Sequence, residues 1–218
     1  PPTSNANYGW ILNMVSKLSQ NGVAGFILAN GALSGGGEEY KIRKKLIEND
    51  LVEAILVLPM KMFYTTDISV TLWILNANKK ERTFEQNGKT KIHRDRTNEI
   101  LFMDLRKLGV AFEKKFIQFD TETIEKISST YHIWQSDKEA YEDIAEYCKS
   151  ATLSEVIAKD YSLVPSKYIE FVNRDENIDF DTKMTALQSE FVELLKEEEK
   201  SKQELLTVFK ELGYEIKL

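Results

Sequence analysis

The stretch VEAILVLPMKMFYTTDISVTLWIL, residues 52–75, decides the fold that the sequence predicts. Residues 52–59 are mostly apolar, which is typical of a short strand buried on both faces of a sheet. Residues 69–75 form a second apolar run, and the connection 60–68 is short and has no helical pattern. Because parallel neighbours need a crossover of about a dozen residues or more, the second strand is predicted to run antiparallel to the first.

The residues before this hairpin predict one β-α-β crossover with a helix ahead of it. AGFILAN at 24–30 is a continuous apolar run and predicts another strand buried on both faces. EEYKIRKKLIEND at 38–50 predicts a helix with acidic residues in its first turn. A first helix with an apolar stripe is predicted to end at Asn21-Gly22. Together these elements predict an α/β fold, the C-terminal half of a Rossmann-like sheet that ends in an antiparallel hairpin.

The residues after the hairpin predict an extension of the sheet and a mainly helical tail. The predicted elements are a solvent loop or hairpin tip within 76–99, a strand at 100–106, a helix at 121–136, a short helix or irregular segment at 138–150, a small helix and an extended stretch around Pro165 within 151–171, and one long helix that dominates 179–218. We therefore expect three parts: an α/β domain at 1–110, a helical or irregular extension at 111–178 and a C-terminal helix at 179–218.

Bulk properties restrict the classes of function. The 218 residues carry a formal net charge of −6, whereas dedicated nucleic-acid modules are usually basic, so the chain is not expected to grip DNA unaided. The single cysteine, Cys148, excludes an internal disulfide and a cysteine-rich zinc site and suits a reducing cytoplasm. No apolar run predicts a membrane span, no signal peptide is visible and the first residue is not Met. We expect an internal piece of a longer cytoplasmic protein.

Three short motifs, in this order and spacing, resemble a known family. They are NANYGW at 5–10, AGFILANG at 24–31 and LPMKMFYTT at 58–66, the last followed by Leu72-Trp73. The chain resembles the modification subunit of type I restriction-modification systems over most of its length, to about residue 172. The later segments ILFMDLRKLG, TYHIW, YEDIAEYCKSATL and YSLVPSKYI are similar to the downstream part of the same family.

The resemblance implies a partial methyltransferase catalytic domain at 1–110. It implies that the intact subunit transfers a methyl group from S-adenosylmethionine to adenine N6 in DNA. The implied partners are DNA through the assembled complex, a specificity subunit and, optionally, a restriction or motor subunit. The target adenine must leave the duplex for this chemistry, so it must be flipped into a pocket.

The resemblance also implies that two functional loops precede NANYGW: the main cofactor loop and the catalytic (Asn/Asp)-Pro-Pro-(Tyr/Phe) loop. Thr3 stands where the catalytic loop needs an aromatic residue, so Pro1-Pro2 is interpreted as a connection. The glycine run 35–37 precedes a predicted helix but follows a late strand, and it is interpreted as a surface loop. No residue here is assigned a catalytic or cofactor-binding role, and the chain alone is predicted to be inactive.

The aromatic pair Phe63-Tyr64 is the candidate for contact with the flipped adenine. The resemblance places it in the hairpin loop, where related enzymes stack a ring on the base, and the sequence does not distinguish the two rings. Packing of both rings onto the core is the alternative. Thr65 stands where the family commonly has Asn, and Ser69 where it commonly has Pro, so the conformation of the loop stays open.

Three asparagines are candidates for the border of the active site. Asn5 and Asn7, with the neighbouring Tyr8, follow the position of the catalytic loop, although helix capping by Asn5 is the favoured interpretation. Asn30 lies at the carboxyl end of a predicted strand, the side on which open α/β sheets bind ligands. A turn-forming Asn-Gly pair is an equal alternative there.

The remaining candidates are weaker, and the sequence predicts no metal site. His93 is interpreted as a polar residue of a locally basic loop, with a phosphate contact as the alternative, and His132 as structural. The C-terminal helix packs either on its own domain or on the specificity subunit. Two other functions stay open: a non-enzymatic assembly module of a DNA-modification complex, and a methyltransferase that acts on RNA or protein.

Overall fold

The computed structural model describes residues 5–137, 139–172 and 179–213. Pro1-Pro2, Thr3 and the last residues of the predicted C-terminal helix lie outside them. The helices among the described residues are α1 (Asn7–Lys17), α2 (Gly37–Glu48), α3 (Thr121–Ser136), α4 (Leu153–Ala158) and α5 (Phe180–Glu211). The strands among them are β1 (Val23–Ala29), β2 (Val52–Val57), β3 (Val70–Asn76), β4 (Arg82–Gln86), β5 (Lys89–His93), β6 (Glu99–Asp104), β7 (Val110–Phe112), β8 (Phe116–Gln118) and β9 (Cys148–Thr152).

The chain divides into two compact units, Pro1–Val172 and Asn173–Leu218. The first unit contains a five-stranded sheet with the order β1-β3-β2-β6-β9. β2 and β6 pair in parallel, whereas β3 pairs antiparallel with both β1 and β2, and β9 pairs antiparallel with β6. The short connection 58–69 therefore joins antiparallel strands. The predicted α/β class, with a sheet that ends in an antiparallel hairpin and a helical tail, is confirmed.

Helices cover both faces of the central strands. The side chains of β2 are buried along its whole length. On one face, residues of α1, α2 and α4 join a core around Trp73, and on the other face α3 contributes Trp134 to a second core. This double cover explains why the apolar run of β2 shows no alternation in sequence.

The first strand differs from its predicted burial. β1 alternates between exposed and half-buried residues, and its outer edge pairs with no strand of the described part of the chain. Phe26 and Leu28 pack on the core, whereas Val23 and Ile27 are 51% and 47% exposed. The prediction of burial on both faces is wrong here, because an apolar run does not reveal which of its faces has a covering element.

The downstream predictions have mixed outcomes. The strand near 100–106, the helix at 121–136 and the hairpin tip within 76–99 are confirmed as β6, α3 and the β4–β5 hairpin. The segment 138–150 is not simply a helix or irregular, because strand β9 begins within it at Cys148. Pro165 begins a 3-10 turn, Pro165–Lys167, and not an extended stretch. The sequence analysis did not predict the small β7–β8 hairpin.

The second unit has one described helix, α5. The side chain of Asp179 caps it by accepting a hydrogen bond from the backbone N–H of Thr182 at 3.3 Å. Its apolar stripe recurs at helical spacing through Met184, Leu187, Phe191, Leu194, Leu205 and Val208. A single helix offers its own apolar residues no second element on which to pack. None of the helices described has the length and apolarity to cross a bilayer.

Candidate functional site

Three loops leave the central sheet on one side, which we call the carboxyl edge because β1, β2 and β6 end there. They are the 3-10 turn Asn30–Leu33 after β1, the segment 58–69 after β2 and the segment 105–109 after β6. Open α/β sheets bind ligands outside the carboxyl ends of their strands, so this edge is the first place to look for a site.

A cavity of about 360 Å³ opens at the carboxyl edge. Its lining residues come from the loops after β1 and β6, from the end of β2 and from the segment after α4: Asn30, Gly31, Leu33, Ser34, Val57, Arg106, Val164, Pro165 and Ser166. The structure thus places Asn30, a candidate from the sequence, in a pocket that contains an amide, two hydroxyl groups and a guanidinium group. These groups can donate and accept hydrogen bonds to a polar ligand.

Arg106 is a residue of this cavity that the sequence analysis missed. Its Nε donates to both carboxylate oxygens of Asp104, at 2.9 and 3.1 Å, and the backbone N–H of Arg106 also donates to Asp104 at 3.1 Å. These hydrogen bonds raise the pKa of Arg106. The available signal was an Asp-x-Arg sequence directly after a buried strand, at the edge where ligands bind.

Two buried side chains hold the loop after β1. The hydroxyl of Tyr8 donates to the carbonyl oxygen of Ala32 at 2.6 Å. Arg43 donates from Nη1 to the carbonyl oxygen of Gly35 at 2.7 Å and from Nε to that of Tyr161 at 2.9 Å. Burial raises the pKa of Tyr8, and a hydrogen bond from Arg43 partly offsets this rise. Tyr8 is therefore an anchor of the loop and is fully buried.

Asn5 and Asn7 lie at the entry to α1. The side-chain oxygen of Asn5 accepts a hydrogen bond from the backbone N–H of Asn7 at 3.0 Å, a local turn contact at the helix entry. The N-cap residue of α1 is Ala6 and no described side chain caps this helix, so the capping interpretation of Asn5 is wrong. Neither residue lines the cavity around Asn30. Their place at the border of the active site stays a prediction.

The two aromatic residues that the sequence could not distinguish differ in their exposure. Phe63 is half-buried and packs against the core on the α3 face, and its backbone forms a bridge with Thr66. Tyr64 is 72% exposed, and its ring meets the ring of Phe116 edge-on with 4.8 Å between the centroids. Tyr64 is thus the ring with a free face. Neither ring lines the cavity around Asn30.

The glycine run 35–37 does not fit a cofactor loop. A Cβ on Gly35 would overlap the carboxylate of Glu39, so this glycine allows close packing within the chain. Gly37 begins α2 with φ of 59°, and the first turn carries Glu38 and Glu39. Two carboxylates at a helix N-terminus oppose the binding of an anionic group there. These glycines therefore serve local folding.

The opposite side of the sheet, which we call the amino edge, holds a buried ionic network. Glu53 and Arg96 are both fully buried, with Arg96 Nη2 at 3.0 Å from Glu53 Oε1. Glu53 also accepts hydrogen bonds from Asn76 at 2.9 Å, Tyr131 at 3.1 Å and Gln135 at 3.4 Å. Burial and the charge of Glu53 raise the pKa of Tyr131. Each polar group has a partner, so this network stabilises the fold.

The two histidines meet at the amino edge although they are distant in sequence. His93 and His132 line a cavity of about 240 Å³ with Lys91, Ile92, Gln135 and Ser136. Burial, with Arg96 and Arg82 nearby, lowers the pKa of His93 to about 4. Within the described ranges, no group of three or more His, Cys, Asp or Glu side chains is placed to hold a metal ion.

Comparisons with known proteins bear on the whole chain. The family model of N-6 DNA methylases matches residues 1–177. The chain is 37% identical to the methylase subunit of the type I restriction enzyme HindI from Haemophilus influenzae, and the match covers 99% of this chain and 45% of that subunit. It is 34% identical to the methylase subunit of the type I restriction enzyme MjaIX from Methanocaldococcus jannaschii, with 98% and 36% covered. The resemblance inferred from the motifs is confirmed.

Solved structures agree with this result. A methyltransferase subunit of a type I restriction-modification system from Streptococcus thermophilus matches with a TM-score of 0.63 and 27% identity, over 78% of this chain and 31% of that one. The M protein of the type I restriction enzyme EcoKI matches with a TM-score of 0.56 and 17% identity, over 94% of this chain and 45% of that one, and supports the fold alone. The chain spans less than half of the length of each of these four proteins.

Proposed function

Because the chain belongs to the N-6 DNA methylase family, we propose that the full-length subunit containing it transfers a methyl group from S-adenosylmethionine to adenine N6 in DNA. The observation that carries this proposal is the family match over residues 1–177, which include the whole five-stranded sheet. The fold also matches that of the methyltransferase subunit from Streptococcus thermophilus, with a TM-score of 0.63 over 78% of this chain.

The contribution of this chain is one side of the pocket for the flipped adenine. Tyr64 stacks on the base, because its ring is exposed in the loop after β2 whereas the Phe63 ring packs on the core. Asn30 contributes an amide in the neighbouring cavity, and Asn5 and Asn7 border the site through the entry to α1. Tyr64 and Asn30 lie in loops at the carboxyl edge. Asn5 and Asn7 lie at the start of α1, whose Tyr8 is hydrogen-bonded to the loop after β1.

The cofactor is bound mainly outside this chain. S-adenosylmethionine supplies the electrophilic methyl group when it is bound, but the glycine run 35–37 does not fit its binding loop. Residues 1–218 alone are therefore inactive in our proposal. The open outer edge of β1 and the exposed apolar side chains on one of its faces support this, because an edge strand of this kind is commonly continued or covered.

The full-length subunit works in the cytoplasm within a complex. Its partners are DNA, a specificity subunit that selects the target sequence and, optionally, a restriction or motor subunit. α5 supplies an assembly contact within the C-terminal region 179–218, because its apolar stripe has no second element among the described residues of its own unit. The same stripe is the observation that favours the second candidate function, a non-enzymatic assembly module.

A methylation assay separates these functions. The full-length subunit is mixed with its specificity subunit, tritium-labelled S-adenosylmethionine and unmethylated genomic DNA, and the DNA is digested to nucleosides. We expect the label in N6-methyl-2′-deoxyadenosine, and no label with residues 1–218 alone. Parallel reactions contain total RNA or cell protein in place of DNA. Label in RNA or in protein but not in DNA, or no label in any acceptor, would contradict the proposal and favour one of the alternatives.

Single substitutions test the part played by Tyr64. Tyr64→Ala removes an exposed ring, and the loss of one base stack costs about 1–3 kcal/mol, so we expect methyl transfer to fall about five- to 150-fold with unchanged thermal stability. Phe63→Ala is the matched control, because it removes a ring that packs on the core and should lower thermal stability first. Full activity of Tyr64→Ala would remove the stacking role.

A further inference from the structure

The β7–β8 hairpin lies against the loop that carries Tyr64. The backbone N–H of Ile117 in β8 donates to the carbonyl oxygen of Lys61 at 3.0 Å. The ring of Phe116, also in β8, contacts the ring of Tyr64. The hairpin and the 58–69 loop therefore form one continuous surface, with Tyr64 in its middle, at the carboxyl edge of the sheet.

Three lysines of this surface have no ion-pair partner among the described residues. The side chains of Lys61, Lys114 and Lys115 are exposed, and none of them forms an ion pair with a described residue. The acidic residues of the same two segments are Asp67 and Glu113, so the three lysines leave the surface positive in a chain with a net charge of −6.

Two other cations near this edge are already bound. Arg106 pairs with Asp104, and Lys107 pairs with Glu146 at 3.1 Å. Lys115 also has its ammonium group 5.5 Å from the centroid of the Phe116 ring, so it stands beside the aromatic pair. A positive surface interrupted by exposed rings is typical of contact with a nucleic-acid strand whose base has left the stack.

The turn of this hairpin has a strained backbone where two of the lysines lie. Glu113 and Lys114 have φ values of 47° and 60°, in the left-handed region that costs residues other than glycine about 1–2 kcal/mol each. In the turn of the β4–β5 hairpin, the left-handed positions are occupied by Asn87 and Gly88, which tolerate this region. A strained turn that retains a charged residue motivates a functional explanation.

We propose that the β7–β8 hairpin binds the DNA backbone beside the flipped adenine, with the ammonium groups of Lys114 and Lys115 on phosphates and Lys61 next to them. The inference rests on the proposed function for its choice of DNA and for the position of the adenine at Tyr64. Phosphate contacts fix the register of a protein on its strand, so the hairpin holds the DNA where Tyr64 can meet the extruded base.

The salt dependence of DNA binding tests this proposal. The full-length subunit, assembled with its specificity subunit, is titrated into a fluorescein-labelled duplex of mixed sequence at several NaCl concentrations. Each lost phosphate contact lowers the slope of log affinity against log salt by about 0.9, so Lys114→Ala/Lys115→Ala should lower it by up to about 1.8. The KM for DNA should rise, with kcat unchanged at saturating DNA.

The β4–β5 hairpin offers a matched control. Lys89→Ala/Lys91→Ala also removes two exposed lysines from a two-stranded hairpin, but at the amino edge of the sheet. We expect this variant to keep the wild-type slope. Equal slopes for Lys114→Ala/Lys115→Ala and the wild type, or a loss confined to the control variant, would overturn the proposal. Thermal unfolding of each assembly establishes that the variants are folded.

Failure of this proposal and failure of the proposed function give different results. If the wild-type assembly methylates adenine but the slope does not respond to Lys114→Ala/Lys115→Ala, the hairpin inference alone is wrong. If the slope falls in this variant while the wild-type assembly methylates no adenine, the proposed function is wrong and the hairpin is still a phosphate-binding surface.

Discussion

Charged residues at the two edges of the central sheet differ in burial and in ion pairing. At the amino edge, Glu53 and Arg96 are fully buried, bound to each other and surrounded by hydrogen-bond partners. At the carboxyl edge, Lys114 and Lys115 are exposed and without an ion pair among the described residues, next to the exposed ring of Tyr64. In our proposal, the charges of the buried network maintain the fold and those of the two exposed lysines are left for a ligand.

Solvation explains this division. A buried charge loses its water and is tolerated only when it is paired and hydrogen-bonded, so a paired charge at the amino edge has little freedom to meet a ligand. An exposed lysine keeps its water and can exchange it for a phosphate at small cost.

The largest loss of unfolding free energy is expected when one partner of the buried pair Glu53–Arg96 is replaced. Arg96→Met and Glu53→Gln each leave one uncompensated buried charge, and breaking such a pair costs about 3–5 kcal/mol of unfolding free energy. Replacing both partners removes both charges, so the double variant Glu53→Gln/Arg96→Met should lose less than the sum of the single variants. Urea unfolding followed by circular dichroism measures the four free energies. Additive losses would show that the two side chains do not stabilise each other.

Connection length and apolar runs predicted the sheet, but not these charges. The connection 60–68, as read from the sequence, is too short for a crossover, and this alone predicted the antiparallel direction of β3. Glu53 is the single acid of an otherwise apolar strand, and Arg96 comes from a charged segment that resembles a solvated loop. Their pairing depends on tertiary structure that local sequence does not encode.

The candidate site was predictable only to the level of the loop. The motif around 58–66 identified Phe63 and Tyr64, but the direction of each ring depends on how the loop folds back, with the Phe63–Thr66 bridge and the contact with Phe116. Phe116 lies in a hairpin with two three-residue strands, which is too short to give a periodic signal. Arg106 had a usable signal after β6 that was missed.

An intermediate loss of stability is expected when the glycine at the base of the β7–β8 hairpin is replaced. Gly109 has φ of 98°, and an added Cβ would lie 2.8 Å from both the carbonyl oxygen of Gln118 and Cγ2 of Ile117. Gly109→Ala should therefore cost about 1–3 kcal/mol and displace the hairpin from Tyr64. Gly88→Ala in the β4–β5 turn, at φ of 70° with no atom within 4 Å, should cost less. Thermal unfolding compares them, and an equal loss would exclude the predicted clash.

A smaller loss of stability, which depends on pH, is expected from His93 at the amino edge. Because burial lowers the pKa of His93 from 6.5 to about 4, only the unfolded chain takes up this proton as pH falls from 6.5 towards 4. The contribution of His93 to stability is complete above pH 6.5 and is lost through this window, by about 1–2 kcal/mol after allowance for partial exposure. His93→Gln should flatten this part of a curve of unfolding free energy against pH. His132→Gln controls for the exposed ring of the same cavity, and an unchanged curve in His93→Gln would contradict the expected coupling.

The smallest loss of stability is expected for Lys114→Ala/Lys115→Ala, the variant that should have a large effect on DNA binding. Lys114→Ala/Lys115→Ala removes exposed charges that pair with no described residue, and such surface substitutions usually change the unfolding free energy by at most about 0.5 kcal/mol. Urea unfolding of the same variant used for the DNA titration measures this value. A loss comparable with that of Arg96→Met would mean that these lysines maintain the fold as the buried pair does, and the difference between the two edges would then disappear. A neutral result, together with a reduced salt slope, assigns the charges of the carboxyl edge to the ligand.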